Sequence, residues 1–232
     1  MTTALLRIEE LMAHSAPGLA FGPHQFAKLP RRVHATAHAW GGALSVAERE
    51  ELDRLTLNSS VFDDLHEVYQ RANGACFFLM ESQRDNEAHW GFQLLPIEAW
   101  REITDMWLPG GDYASFMEKC DLYKHGEWRV IAMIGDGGMF LIQFFSGERD
   151  GESLAGRIFC VGLGGLLGYE EEVAESFSSL IESVVRDPAA FFCRMGFTWS
   201  VESEEGCFGD PLERYVSDVR GDPDVQPWPA KV

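Results

Sequence analysis

The stretch that decides the fold is Ser60–Leu79, SVFDDLHEVYQRANGACFFL. Ser60 is placed to accept from the orphan amide donors of a helix start, and Asp63 and Asp64 set carboxylates near the positive end of the helix dipole. Phe62, Leu65, Tyr69 and Ala72 recur at i, i+3, i+7 and i+10, which marks one buried face. The spacing therefore predicts a helix over 60–73. Asn73-Gly74 ends it, with Gly74 in the left-handed conformation that closes a helix, and ACFFLM leaves the turn as an apolar strand entering the core.

Downstream, residues 75–80 and 89–95 read as strands separated by the polar turn SQRDNE. Pro96 starts a helix with Trp100, Ile103 and Trp107 on one face, and Pro109-Gly110-Gly111 stops it. Tyr113, Phe116, Cys120 and Tyr123 have helical spacing. Residues 128–134 and 139–145 flank GDGG, a glycine-rich turn suited to a hairpin, and 156–161 reads as a further strand. Val173, Phe177, Leu180, Ile181 and Val184 form the stripe of a helix that ends before Pro188. Upstream, residues 3–13 suit a short helix and the stretch before Trp40 reads as weakly helical. Ser45-Val46-Ala47-Glu48 is a capping-box sequence opening a helix over 46–56. Residues 191–201 suit one more strand, and the proline-rich acidic end reads as extended. Helices first, then adjacent strands joined by hairpins, then a helix, predict an α+β fold with a mainly antiparallel sheet.

A helix running into an Asn-Gly turn and then a strand resembles the SUKH superfamily, which contains yeast cell-wall synthesis regulators and many bacterial immunity proteins. Two later blocks fit the same pattern: Trp128–Ala132 leading through Gly135-Asp136-Gly137-Gly138 to Met139–Ile142, and Val173–Phe177 opening a final helix. The resemblance implies a SUKH-like core over 57–190. Residues 1–56 then form an N-terminal helical segment packed on that core, and 191–232 form a C-terminal extension.

With 232 residues, 46% hydrophobic and 12% aromatic, the chain can bury a sizeable core without staples. No secretory signal and no apolar run of membrane-spanning length is visible, so the expectation is a soluble, cytoplasmic protein without membrane contact. The five cysteines are odd in number and widely spaced, which reads as reduced thiols. Residues 1–60 hold 6 basic and 6 acidic side chains, so the whole net charge of −18 falls on residues 61–232, with 13 basic against 31 acidic. A field of that sign repels phosphate backbones, which excludes nucleic acid as an expected partner and favours a basic protein.

Motifs for chemistry fail one by one. The run Gly162-Leu163-Gly164-Gly165-Leu166-Leu167-Gly168 lacks the spacing of a dinucleotide fingerprint, and Glu170-Glu171-Glu172 is expected to open the following helix, where it would repel a pyrophosphate. His34 and His38 stand four apart, as zinc ligands do on a helix, but residue 35 is alanine where a zinc peptidase carries its glutamate base, and no third ligand is in view. They read as surface or loosely packed histidines. No nucleophile elbow occurs, and no cysteine has a setting that lowers its pKa. The reading is therefore no enzyme, no metal and no cofactor. Trp90, Trp100, Trp107 and Trp128 are expected in the core.

The SUKH resemblance implies a cytoplasmic immunity protein that binds and neutralises a cognate secreted toxin domain, with a nuclease as the natural target of an acidic protein. The alternatives are a regulatory or scaffold protein of the same superfamily, and an enzyme whose site one sequence does not reveal. Candidate partner-binding residues lie in expected turns and exposed faces: Glu81, Asp85, Glu87, Asp112, Glu118, Asp121 and Asp136. Asn73 and Gly74 form the expected structural turn.

Overall fold

The computed structural model describes residues 2–13, 34–81, 88–108, 110–111, 124–134, 139–162, 171–186, 188 and 191. Its centre is a seven-stranded sheet in which every pairing is antiparallel, with strand order β1-β2-β3-β4-β5-β8-β9. The strands are β1 (His34–Gly42), β2 (Asn73–Glu81), β3 (Ala88–Leu94), β4 (Trp128–Ile134), β5 (Met139–Phe144), β8 (Ile158–Gly162) and β9 (Glu171–Ala174). Between β5 and β8 the chain makes a separate two-stranded ribbon, β6 (Glu148–Arg149) and β7 (Glu152–Ser153). The helices are α1 (Thr3–Ala13), α2 (Val46–Thr56), α3 (Asp63–Arg71), α4 (Ile97–Trp107) and α5 (Phe177–Arg186). The expected α+β class and antiparallel sheet are both present.

The decisive segment differs in detail from its sequence reading. Ser60 does not cap the helix. Ser59 does the capping, accepting from the Val61 amide to start a 3-10 turn over Ser60–Phe62, and α3 follows at Asp63. The 3-10 turn costs the helix its first residues but seats Phe62 in the core, stacked on Phe145 with ring centroids 5.3 Å apart. The helix ends at Arg71, with Ala72 already extended, so Asn73-Gly74 opens β2 instead of closing α3. Gly74 does have a positive φ of +89°. Its stronger constraint is space, because a Cβ there would lie 2.5 Å from the backbone oxygen of Leu94.

Three further expectations are corrected. The stretch before Trp40 is a strand, not a helix, because it completes the edge of the sheet against β2. Val173 and Ala174 belong to β9, and α5 begins only at Phe177; Glu171 and Glu172 likewise sit on β9 and do not open a helix. His38 is buried, not on the surface: it is 3% exposed, its ring meets Phe78 edge-on at 5.2 Å, and its Nδ1 accepts from the Phe78 amide at 3.4 Å. His34 begins β1, and its side chain lies outside the described ones.

The capping box is present as read, with Ser45 and Glu48 satisfying each other's backbone donors. Helices α1 and α2 belong to the same core. Ala4, Leu5, Ile8 and Leu11 of α1 and Leu52 and Leu55 of α2 join one apolar cluster with the sheet. Outside that cluster, Arg7 pairs with Glu182 of α5 at 3.0 Å and Arg71 of α3 with Glu9 at 3.2 Å. Trp100, Trp107 and Trp128 are buried as expected. The tips of Tyr69 and Trp100 converge on one acceptor, the Leu95 carbonyl, at 2.7 and 3.0 Å, which satisfies both buried donors.

Candidate functional site

Two polar regions stand out against this apolar scaffold. The first is built around Asn73, 6% exposed at the start of β2. Its Oδ1 accepts from the Ile97 amide at 2.8 Å, in the first turn of α4. Its Nδ2 donates to Glu48 Oε1 of α2 at 2.7 Å and to Glu98 Oε2 of α4 at 2.9 Å. One amide thus uses its acceptor and both N–H groups to tie three elements together, which explains why asparagine stands there. The two carboxylates respond differently. A hydrogen bond with Glu98, helped by Ser45 and Asn73, holds Glu48 down at about 2. Burial first, and then the neighbouring Glu48, raise Glu98.

The second region is an open groove of about 540 Å³ lined by Glu152, Arg157, Glu172, Val173, Ala174 and Glu175. Strand β9 supplies the floor, with Val173 and Ala174 buried. One rim comes from the β6–β7 ribbon, whose register pairs Glu148 with Ser153 and Arg149 with Glu152 across the two-residue loop Asp150-Gly151. Both loop residues have positive φ, +55° and +84°, as a tight hairpin turn matching strand twist requires. Among the described residues Arg157 is the one cation lining the groove, and it is engaged on both sides. Its Nε donates to Glu172 at 2.9 Å, its Nη2 binds the same carboxylate, and its Nη1 reaches Glu152 at 3.3 Å. The Glu172 hydrogen bond raises the Arg157 pKa further, so this guanidinium stays charged and neutralised. Glu175 and Glu152 are exposed, which leaves the groove with excess negative charge over an apolar floor.

A third cluster is structural in character. Arg54 binds Glu51 through two bonds of 2.8 Å and Glu127 at 3.0 Å, and Arg129 binds Glu127 at 2.8 Å, which joins α2 to the start of β4. Alternating charges here cancel, and the cluster offers no net field to a partner.

Of the sequence-derived partner residues, Asp85, Glu87, Asp112, Glu118, Asp121 and Asp136 lie outside the described residues, and Glu81 is the last residue of β2. The loops 82–87 and 135–138, the glycine run 163–170, the helical reading over 113–123 and the strand reading beyond Phe191 also lie outside them. The structure brings Asn73 together with Glu48 and Glu98, which sequence reasoning did not pair. It also assembles Glu152, Glu172 and Glu175, none of which was read as a partner residue; the Asp150-Gly151 dipeptide was the available signal for the ribbon. Among the described residues no group of three or more His, Cys, Asp or Glu side chains is placed to hold a metal ion. The buried Cys76 and Cys160 thiols are pushed up, Cys160 to about 12, so neither is a poised nucleophile. No helix among the described residues is long and apolar enough to cross a membrane. No family model, curated protein or solved structure matches the chain.

Proposed function

We propose that this protein is a SUKH-type immunity protein: a non-enzymatic cytoplasmic binder that neutralises a basic, secreted toxin domain. The observation that carries the reading is the acidic groove. Its arginine is already bound by Glu172 and Glu152, while the exposed carboxylates of Glu152 and Glu175 rim it. Exposed carboxylates in excess of the neighbouring cation suit a partner of the opposite sign, with the charges setting the encounter rate. The net charge of −18 extends that field over the surface. A nuclease domain is the natural target, because its substrate groove is basic and an acidic rim takes the place of phosphates. The left-handed Gly74 and the antiparallel pairing of β4 with β5 agree with the SUKH-like core on which the reading rests, although Asn73 opens β2 and does not close the helix.

The experiment is affinity purification of tagged full-length protein from its native host, beside the double variant Glu152→Lys/Glu175→Lys. The expected result is a basic toxin domain retained by the parent and lost by the variant. A parent that retains no toxin domain, or a variant that retains it undiminished, overturns the reading.

A further inference from the structure

The Asn73 joint holds two carboxylates that no cation neutralises. Glu48 bonds to the Ser45 amide and Asn73, and Glu98 bonds to Asn73; neither forms an ion pair among the described residues. The nearby arginine of α4, Arg101, faces Asp105 at 3.9 Å instead. Titratable groups on the other elements packed here stay neutral. Tyr69 of α3 is fully buried with its pKa raised by burial, and Cys76 of β2 is a buried thiol raised the same way. Two oxygens at 2.7 and 2.9 Å from one amide nitrogen put like charges at close range, with Glu48 half-buried and Glu98 exposed, and among the described residues no cation stands between them, so a proton is the counter-charge that closes the pair.

We propose that Glu48, Asn73 and Glu98 form a proton-linked joint between α2 and α4. When Glu98 is protonated, its O–H donates to the Glu48 carboxylate and closes the N-terminus of α4 onto the N-terminus of α2. When Glu98 ionises, the two carboxylates repel across the single amide and the joint loosens. The proton belongs on Glu98 because Glu48 already serves as acceptor for two donors, the Ser45 amide and Asn73, and a protonated Glu48 would give up part of that capacity. The sign follows from the two directions. Glu98 sits above the ordinary 4.5, so its contribution is complete below 4.5 and is lost as pH rises through its raised value. Glu48 sits below 4.5, so its contribution is present above 4.5 and is lost as pH falls through about 2. The joint is tightest between those limits.

The test is an NMR titration of side-chain carboxyl carbons in the full chain, with exchange of the Ile97 amide as a second readout. That amide donates to Asn73 Oδ1 and reports whether the joint is closed. The expected result is a Glu98 midpoint above 4.5, a Glu48 midpoint below it, and Ile97 protection that falls several-fold once Glu98 ionises, after correction for intrinsic exchange. Glu98→Gln places a permanent N–H donor against Glu48. It should keep Ile97 protected across the range and leave the thermal midpoint at neutral pH equal to or above the parent's. Carboxyls that titrate together near 4.5, or a Glu98→Gln protein whose Ile97 protection still follows pH as the parent's does, would overturn the proposal.

Discussion

The Asn73 joint and the β9 groove are both rich in glutamate, yet they use it in opposite ways. At the joint, half-buried Glu48 and exposed Glu98 both accept from one buried amide, and each bond ties an element of the fold to another. In the groove, Glu152 and Glu175 turn outward, with a single arginine held between two of the rim carboxylates. Acidic residues that close onto a donor inside the protein stabilise it. Those left facing water contribute little to stability and are available for a partner.

The difference can be broken most severely at Asn73. Asn73→Ala leaves the Ile97 amide without its acceptor and two carboxylates without their donor, and should cost about 3 kcal/mol of stability. Urea unfolding measures this directly; a loss no larger than that of a typical surface substitution, within about 0.5 kcal/mol, removes the joint from the account. Gly74→Val is the next largest. A positive φ combined with a Cβ 2.5 Å from the Leu94 oxygen should cost about 2 kcal/mol, since the obstructing atom is backbone and cannot rotate away. A Gly74→Val protein that unfolds at the parent's urea concentration would contradict the close approach.

A pH series sharpens the comparison further. Glu51 and Glu127 are held below 4.5 by Arg54 and Arg129, against the opposing effect of burial. Their contribution is present above 4.5 and is lost as pH falls below it, in the same direction as Glu48 and opposite to Glu98. Thermal midpoints should therefore fall steeply only under acid conditions below 4.5, and Glu127→Gln should flatten that fall. An acid limb unchanged in Glu127→Gln would show that the network with Arg54 and Arg129 adds nothing. For the groove, binding of the retained partner should slow as salt rises, because screening cuts the reach of the field to about 8 Å at physiological ionic strength.

The parts of the fold legible in the sequence are those written as periodic burial. The stripes of α3, α4 and α5 and the apolar run into β2 bury the residues that their spacing selects, among them Leu65, Tyr69, Trp100, Phe177 and Leu180. What was missed lacks that pattern. Strand β9 is four residues long and half acidic, and β6 and β7 have two residues each, so their conformation comes from pairing with distant chain and not from composition. Strand β1 did carry a signal, since His34, Thr36, His38 and Trp40 alternate with alanines at a period of two, which here outweighs the strong helix preference of alanine. The site divides in the same way. Asn73-Gly74 was visible as a turn, but its partners Glu48 and Glu98 are each 25 residues away in sequence, and only the fold brings them to one amide.

Groove acidity contributes little to folding, while joint acidity holds elements of the fold together. The most direct measurement is the urea unfolding midpoint of Glu152→Lys/Glu175→Lys in the full chain, beside the parent. The predicted midpoint is equal to the parent's, because the Glu152–Arg157 contact it loses is an exposed ion pair of small worth and reversing two charges on a protein of net charge −18 relieves self-repulsion. A midpoint lowered as far as that of Asn73→Ala would contradict the claim and make the groove part of the scaffold.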